Sequence, residues 1–180
     1  MKNVPLRSGP FLANKGGTAG VKGSRPLRRE PFIFGGAVVF RIEPDWEGEA
    51  HYTITFDGGS EGNPGPAYGS FAITTKDGRK KIYRLSFGKM TANEAEYRTL
   101  ASALAELIGI LDKHGRTPED FTVEVRGDSA LVINQILGFW KTNDPNLKEL
   151  RDEVRSLLSR FKNYRLVKIP REQVKEELGH

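Results

Sequence analysis

Residues 51–69 read HYTITFDGGSEGNPGPAYG, a strand pattern that runs into a Gly-rich turn. Apolar Tyr52, Ile54 and Phe56 alternate with polar residues, and this period of two predicts a β-strand. The Gly and Pro residues that follow predict a tight turn. We therefore expect Asp57 at the end of a strand, directly before a turn.

Two more strands are predicted downstream of this turn. Residues 68–75 and 81–87 carry strand patterns, and the Lys-Asp-Gly sequence at 76–78 between them predicts a tight connection. Three strands in series with short connections predict an antiparallel meander.

The second half of the chain alternates helices and strands. Thr91 and Glu94 have the spacing of a capping box, and leucines at helical period follow them. The remaining order is a strand around 121–128, a short helix over Ser129–Leu137, a helix capped by Asn146, a strand over Tyr164–Ile169 and a C-terminal helix from Pro170. Helices between strands require crossovers, so the later strands should join the first in parallel. The predicted fold class is α/β, with a mixed five-stranded sheet flanked by helices.

The composition is typical of a globular protein, with 37% hydrophobic and 28% charged residues among 180. No apolar run is long enough to span a bilayer, and the N-terminus lacks the apolar stretch of a secretory signal. Cysteine is absent, which excludes disulfides and thiolate metal sites. These features predict a cytoplasmic protein.

Positive charge is concentrated near the N-terminus. The net charge is +5, and residues 1–29 hold seven Lys or Arg and no Asp or Glu. We expect three parts: a flexible basic arm over 1–30, a candidate hairpin extension over 31–49 and a main domain over 50–180. The arm indicates either a polyanionic partner or a solubilising tail, and the sequence leaves both open.

Three acidic residues are expected near the ends of secondary-structure elements. Asp57 ends a strand, Glu96 lies one turn into a helix, and Asp128 ends another strand. Each has a plain structural alternative, which is a turn residue, a helix-dipole partner and an N-cap, respectively. Carboxylates that converge repel one another and need a cation, and oxygen ligands without Cys indicate Mg²⁺ or Mn²⁺. Such sites commonly hold two metal ions and cleave phosphodiesters by in-line displacement.

Four segments in this order carry a family resemblance. They are FDGGSEGNPGPA at 56–67, TANEAEY at 91–97, GDSALVINQ at 127–135 and IPREQ at 169–173. With these motifs, the chain from about Tyr52 to Glu176 resembles the type 1 ribonuclease H family. The resemblance implies a ribonuclease H-like fold and Mg²⁺-dependent endonucleolytic cleavage of the RNA strand in RNA–DNA hybrids. It places the first three catalytic, metal-binding acids at Asp57, Glu96 and Asp128.

The resemblance also implies how the substrate is held. The family's contacts to the RNA strand fall on Gly58, Gly59, Ser60, Asn63, Asn93 and Ser129. Glycine allows backbone N–H groups to approach ribose and phosphate, and small polar side chains can bond to 2′-hydroxyls. The implied partner is an RNA–DNA hybrid, and no membrane or protein partner is indicated.

The sequence departs from the family pattern near its C-terminus. The family's fourth carboxylate falls on Leu178, and the catalytic His of some members falls on Lys168. The neighbouring Glu177 is a candidate substitute as a metal ligand. The alternative function is therefore an RNA–DNA hybrid-binding module with weak or lost nuclease activity. A domain that serves a reverse transcriptase or transposase is a third interpretation, which a chain of 180 residues fits less well.

Overall fold

The computed structural model describes residues 48–180, together with the backbones of two earlier strands, β1 (Glu30–Phe34) and β2 (Ala37–Arg41). These two strands pair in an antiparallel manner. They lie in the part of the chain for which a hairpin was predicted. The basic arm predicted over 1–30 falls outside the described residues, apart from Glu30.

Five strands of the described chain form the central sheet. They are β3 (Tyr52–Ser60), β4 (Gly65–Thr75), β5 (Lys80–Met90), β6 (Thr122–Gly127) and β7 (Asn163–Lys168). Their order across the sheet is β5-β4-β3-β6-β7. The first three form an antiparallel meander, whereas β6 runs parallel to β3 and β7 runs parallel to β6. The prediction of a mixed five-stranded sheet is confirmed.

Within residues 48–180, four α-helices connect and cover these strands. They are α1 (Ala92–Lys113), α2 (Ala130–Ile136), α3 (Pro145–Leu158) and α4 (Arg171–Leu178). A 3₁₀ turn over Pro118–Asp120 precedes β6. None of the helices in the described part of the chain has the length and apolar character needed to cross a membrane.

The starts of α1 and α3 test two local predictions. At α1 the capping box is confirmed, because the Thr91 hydroxyl accepts from the Glu94 N–H and the Glu94 carboxylate accepts from the Thr91 N–H at 2.7 Å. The prediction that Asn146 caps the third helix is wrong. Asp144 is the cap and accepts a hydrogen bond from the Leu147 N–H at 3.0 Å. A proline follows Asp144, and its preset φ suits the first helical turn.

The two faces of the sheet are covered differently. Helix α1 packs across one face, where its leucines join Phe56 in the main core. Helix α4 lies on the other face, called here the α4 face, where Leu178 packs against Ala72. Side chains alternate along a strand, so Thr55 and Asp57 project on the α4 face whereas Phe56 projects into the core.

Candidate active site

The three candidate acids meet at one end of the sheet. β3 and β6 are adjacent and parallel, so Asp57 and Asp128, which come just after the paired segments, lie at the same edge. Glu96 lies near the start of α1, which packs against β3. The fold thus brings together three acids that are far apart along the chain.

Gly58 sets the distance between β3 and α1. A Cβ atom at this position would lie 2.6 Å from the Glu96 nitrogen and 2.7 Å from the Ala95 carbonyl carbon. These are backbone atoms of a helix, so they cannot move aside as a flexible side chain could. Gly58 therefore allows Asp57 on the strand to approach Glu96 on the helix. Its proposed contact with RNA is compatible with this packing role.

Burial and mutual repulsion disfavour the ionised forms of these acids. The pKa of Glu96 is raised to about 7, chiefly by burial and also by the charges of Asp128 and Asp57. A hydrogen bond from Ser129 and the charge of Arg171 act in the opposite direction. The pKa of Asp57 is also raised, first by burial and then by Asp128. Carboxylates held together in this way ionise together more readily when a cation lies between them.

Two basic residues near the acids were not assigned a role from the sequence. The Arg171 guanidinium lies 3.5 Å from a carboxylate oxygen of Asp128. The charges of Arg171 and His180 both lower the pKa of Asp57. Arg171 had a detectable signal, because it belongs to the IPREQ motif, directly after a strand that runs parallel to β6. The carboxyl ends of adjacent parallel strands lie at one edge, which brings Arg171 near Asp128.

Ser129 positions Glu96. Its hydroxyl donates a hydrogen bond to the Glu96 carboxylate at 2.6 Å and accepts one from the Val132 N–H at 3.3 Å. Ser129 is therefore the N-cap of α2, so the alternative that Asp128 is the cap is wrong. Ser129 is only 9% exposed, so its hydrogen bond to Glu96 is largely shielded from water.

Two polar residues of the Gly-rich turn connect it to the start of α1. The Ser60 hydroxyl donates to the Met90 carbonyl oxygen at 2.9 Å. The Asn63 side-chain oxygen accepts a hydrogen bond from the Ala92 N–H at 3.2 Å. Both bonds hold the turn against the end of β5 and the first residue of α1. The turn is therefore fixed relative to the helix that carries Glu96.

Asn93 and Gly59 complete the set predicted to contact RNA. Asn93 is half-buried at the second position of α1, and its side chain has no hydrogen-bond partner among the described residues. Gly59 follows Gly58 in β3 and lies directly opposite Tyr68 of β4. Five of the six residues predicted to contact RNA are partly or fully exposed, whereas Ser129 is largely covered.

Glu177 is engaged in a different group of side chains. Its carboxylate accepts hydrogen bonds from the Thr55 hydroxyl, from Arg126 at 3.2 Å and from Gln173 at 2.9 Å. Glu177 is not among the groups that most affect the pKa of Asp57. The structure does not bring this candidate metal ligand together with the three acids.

The end of α4 is firmly held on the sheet. Leu178, at the family's fourth-acid position, is 0% exposed and packs with Val174 and Ala72. From β5, Lys80 donates to the Glu177 carbonyl at 2.8 Å and Arg84 donates to the Leu178 carbonyl at 2.6 Å. These contacts restrain rotation of the last helical turn.

The acids fit a divalent cation by chemistry and charge. Within residues 48–180, no three acidic or histidine side chains are oriented as a ready-made metal site. Glu96 is turned towards Ser129 and Asp128 towards Arg171. The donor set nevertheless consists of hard carboxylate oxygens whose repulsion a cation would offset.

Known proteins resemble this chain over the same region. A family model described as reverse transcriptase-like matches residues 55–176. Ribonuclease HI of Halobacterium salinarum is 38% identical over 133 residues, which are 72% of this chain and 61% of that protein. The chain thus spans less than two thirds of the length of this relative, and 31% of the length of several mycobacterial relatives.

Solved structures agree with this result. The crystal structure of ribonuclease H1 from the halophilic archaeon Halobacterium salinarum is similar with a TM-score of 0.59 at 36% identity, over 71% of this chain and 90% of that one. A structure of LC11-RNase H1 in complex with an RNA/DNA hybrid is similar with a TM-score of 0.62 at 35% identity, over 69% of this chain and 89% of that one. By sequence motifs, fold and similarity, the chain belongs to the type 1 ribonuclease H family.

Proposed function

We propose that the chain is a ribonuclease H, an endonuclease that hydrolyses the RNA strand of RNA–DNA hybrids by two-metal-ion phosphodiester cleavage. The observation that carries this proposal is the meeting of Asp57, Glu96 and Asp128, with raised pKa values for Asp57 and Glu96. Similarity supports it, because one relative is named ribonuclease HI and one similar structure contains an RNA/DNA hybrid.

The three acids would hold the metal ions, two Mg²⁺ with Mn²⁺ as a substitute. When bound, these ions supply an activated water and stabilise the leaving 3′-oxygen. In the chain itself, Ser129 orients the Glu96 carboxylate through its hydrogen bond. Arg171, whose side chain is 64% exposed, adds positive charge beside Asp128 that favours an RNA phosphate.

The Gly-rich turn and the start of α1 would bind the RNA strand. Gly58, Gly59 and Ser60 follow Asp57 in β3, Asn63 lies in the turn after β3, and Asn93 lies on α1 with an unpaired amide. Backbone N–H groups and small polar side chains of this kind can bond to phosphates and 2′-hydroxyls. The 2′-hydroxyl is the group that distinguishes the RNA strand from DNA.

The second candidate function is a hybrid-binding module with little or no cleavage. Two observations favour it: Leu178 is buried at the fourth-acid position, and the Glu177 carboxylate is already bonded to Thr55, Arg126 and Gln173. A site with three acids would hold its second metal ion less tightly than a site with four. The two functions differ in whether the bound hybrid is cut.

The deciding experiment incubates the purified chain with an end-labelled RNA–DNA hybrid, in Mg²⁺, in Mn²⁺ and in chelator. Duplex DNA of the same sequence and the Asp57→Asn variant are the controls. We expect metal-dependent fragments from the RNA strand alone, and no fragments from the duplex DNA or with the variant. Tight hybrid binding without fragments in either metal would establish the binding module instead.

A further inference from the structure

Tyr68 of β4 is an exposed aromatic residue on the surface that carries the candidate active site. It is 48% exposed, and among the described residues it is one of three large apolar side chains with high exposure, with Ile82 and Trp140. Tyr68 pairs directly with Gly59 of β3. Side chains of directly paired residues lie on the same face of a sheet, so Tyr68 lies on the α4 face together with Asp57.

The Tyr68 ring lies across Gly59. A Cβ atom at Gly59 would come within 2.6 Å of the Tyr68 hydroxyl oxygen and 2.7 Å of its ring carbon Cζ. Any side chain at Gly59 would therefore displace the ring. Glycine leaves the space that the half-exposed phenol ring occupies, and this position of the ring against Gly59 is called here the Gly59 seat.

This seat lies next to the catalytic carboxylate. Gly59 is two residues beyond Asp57 on the same face of β3, a separation of about 6.6 Å along a strand. The Tyr68 hydroxyl has no hydrogen-bond partner among the described residues. The ring therefore offers one apolar face and one unpaired hydroxyl to whatever lies over Asp57.

We propose that Tyr68 is a specificity-determining residue that packs its ring against a ribose of the RNA strand and bonds through its hydroxyl to the 2′-hydroxyl of that ribose. This inference rests on the proposed function, because it assumes that the hybrid lies over Asp57. A hybrid presents sugars and 2′-hydroxyls along its shallow minor groove, and a tyrosine combines an apolar ring with a polar tip. With the hybrid placed over Asp57, the riboses that flank the cleaved bond would lie near the Gly59 seat.

A purely structural role for Tyr68 makes different predictions. An aromatic residue opposite a glycine can also protect the exposed strand backbone. In that case Tyr68 substitutions would change the free energy of unfolding but not the discrimination between ribose and deoxyribose. The two roles can be distinguished by measuring Tyr68 variants on hybrids in which single riboses are replaced.

The experiment uses a set of hybrids in which one ribose at a time is replaced by 2′-deoxyribose around the cut site. KM and kcat are measured for the wild type, Tyr68→Phe and Tyr68→Ala, and the dissociation constant of each hybrid is measured without metal. Ile82→Ala is the matched control, because Ile82 is also large, apolar and 40% exposed on the same sheet. Urea denaturation of each variant reports the cost to folding.

We expect one substituted position to raise KM and the dissociation constant of the wild type about three- to tenfold, as for the loss of one hydrogen bond. In Tyr68→Phe this penalty should disappear at that position alone. Tyr68→Ala should raise KM for the all-ribose hybrid roughly tenfold with little change in kcat, whereas Ile82→Ala should match the wild type.

A second test measures whether the effects of substitutions at Tyr68 and Gly59 depend on each other. Gly59→Ala should raise KM in the wild type, because the new methyl group displaces the ring, and should have a much smaller effect in the Tyr68→Ala background. The proposal is overturned if Tyr68→Phe keeps the same penalty at every position and Tyr68→Ala binds the all-ribose hybrid within twofold of the wild type. Failure of the proposed function would give a different result, because the wild type would then bind hybrids without cutting them. In that case the dissociation constants would still test the role of Tyr68.

Discussion

Replacing Glu96 by Gln should stabilise the protein at alkaline pH and abolish its activity. In the unfolded chain Glu96 should ionise near 4.5, whereas in the fold its pKa is about 7 because of burial and of the charges of Asp128 and Asp57. The folded state therefore binds more protons than the unfolded state between these values. This proton binding makes stability fall as pH rises from about 4.5 to about 7.

The size of this effect follows from the shift in pKa. Each pKa unit corresponds to about 1.4 kcal/mol, so the full shift amounts to at most about 3 kcal/mol above pH 7. Glutamine keeps the shape of Glu96 and can still accept the hydrogen bond from Ser129, but it has no charge. Glu96→Gln should thus match the wild type near pH 4 and exceed its free energy of unfolding by up to about 3 kcal/mol at pH 8.

The assay is urea denaturation of both proteins in chelator at several pH values, repeated with Mg²⁺. A ligand that binds only the folded state stabilises it, so Mg²⁺ should raise the stability of the wild type more than that of the variant. Cleavage of the hybrid should be lost in Glu96→Gln at every pH, since a ligand charge is missing.

Glu94 lies on the same helix and provides a control, because its pKa is lowered rather than raised and the pH dependence of stability has the opposite sign. Hydrogen bonds from Thr91 lower the pKa of Glu94, so its contribution to stability is present above its unfolded pKa and is lost as pH falls. Glu94→Gln should therefore lower stability at neutral pH, by less than about 1 kcal/mol for one weakened cap. The reasoning about Glu96 is refuted if the wild type and Glu96→Gln have the same pH dependence of stability between pH 4 and pH 8.

Three further predictions concern the metal ligand, the arm and the end of α4. Asp57→Asn should reduce hybrid cleavage about a thousandfold or more with an unchanged fold, and near-normal turnover would contradict the site. Deleting residues 1–29 should flatten the salt dependence of hybrid binding, because seven cations release counterions, and an unchanged slope would make the arm a tail. Glu177→Gln should leave the cleavage rate within about twofold if three acids hold the metals. Leu178→Asp should lower the free energy of unfolding by about 3 kcal/mol or more, because it buries a charge. Equal Tm values for the wild type and Leu178→Asp would contradict the packing of α4.

Local sequence patterns predicted most of the secondary-structure elements. The alternation around Phe56 and the capping box of Thr91 and Glu94 depend on neighbours in sequence, and both are found in the structure. The cap of α3 was missed because Asp144 and Asn146 are both good caps, and the choice between them depends on where the preceding loop ends. The prediction that Asp57 ends a strand was wrong, because β3 continues to Ser60 and pairs with β4 along this stretch. Pairing with a neighbouring strand extends β3 through glycines that have a low strand propensity of their own.

The sequence predicted which residues belong to the candidate site but not how they are arranged in space. The motifs identify Asp57, Glu96 and Asp128, yet only the packing of α1 on β3 explains why Gly58 is a glycine. The same limit applies to Glu177. Its position next to Leu178 suggested a metal ligand, whereas the structure pairs it with Arg126 on the α4 face.

The sequence by itself determined the family and the order of strands and helices, and it singled out the three candidate acids, because these depend on motif and period. The tertiary structure alone decided which charges act on one another: the raised pKa of Glu96, the approach of Arg171 to Asp128 and the seat of Tyr68 on Gly59. The physical reason is that desolvation and Coulomb interactions depend on distances in space, and those distances join elements that are remote along the chain.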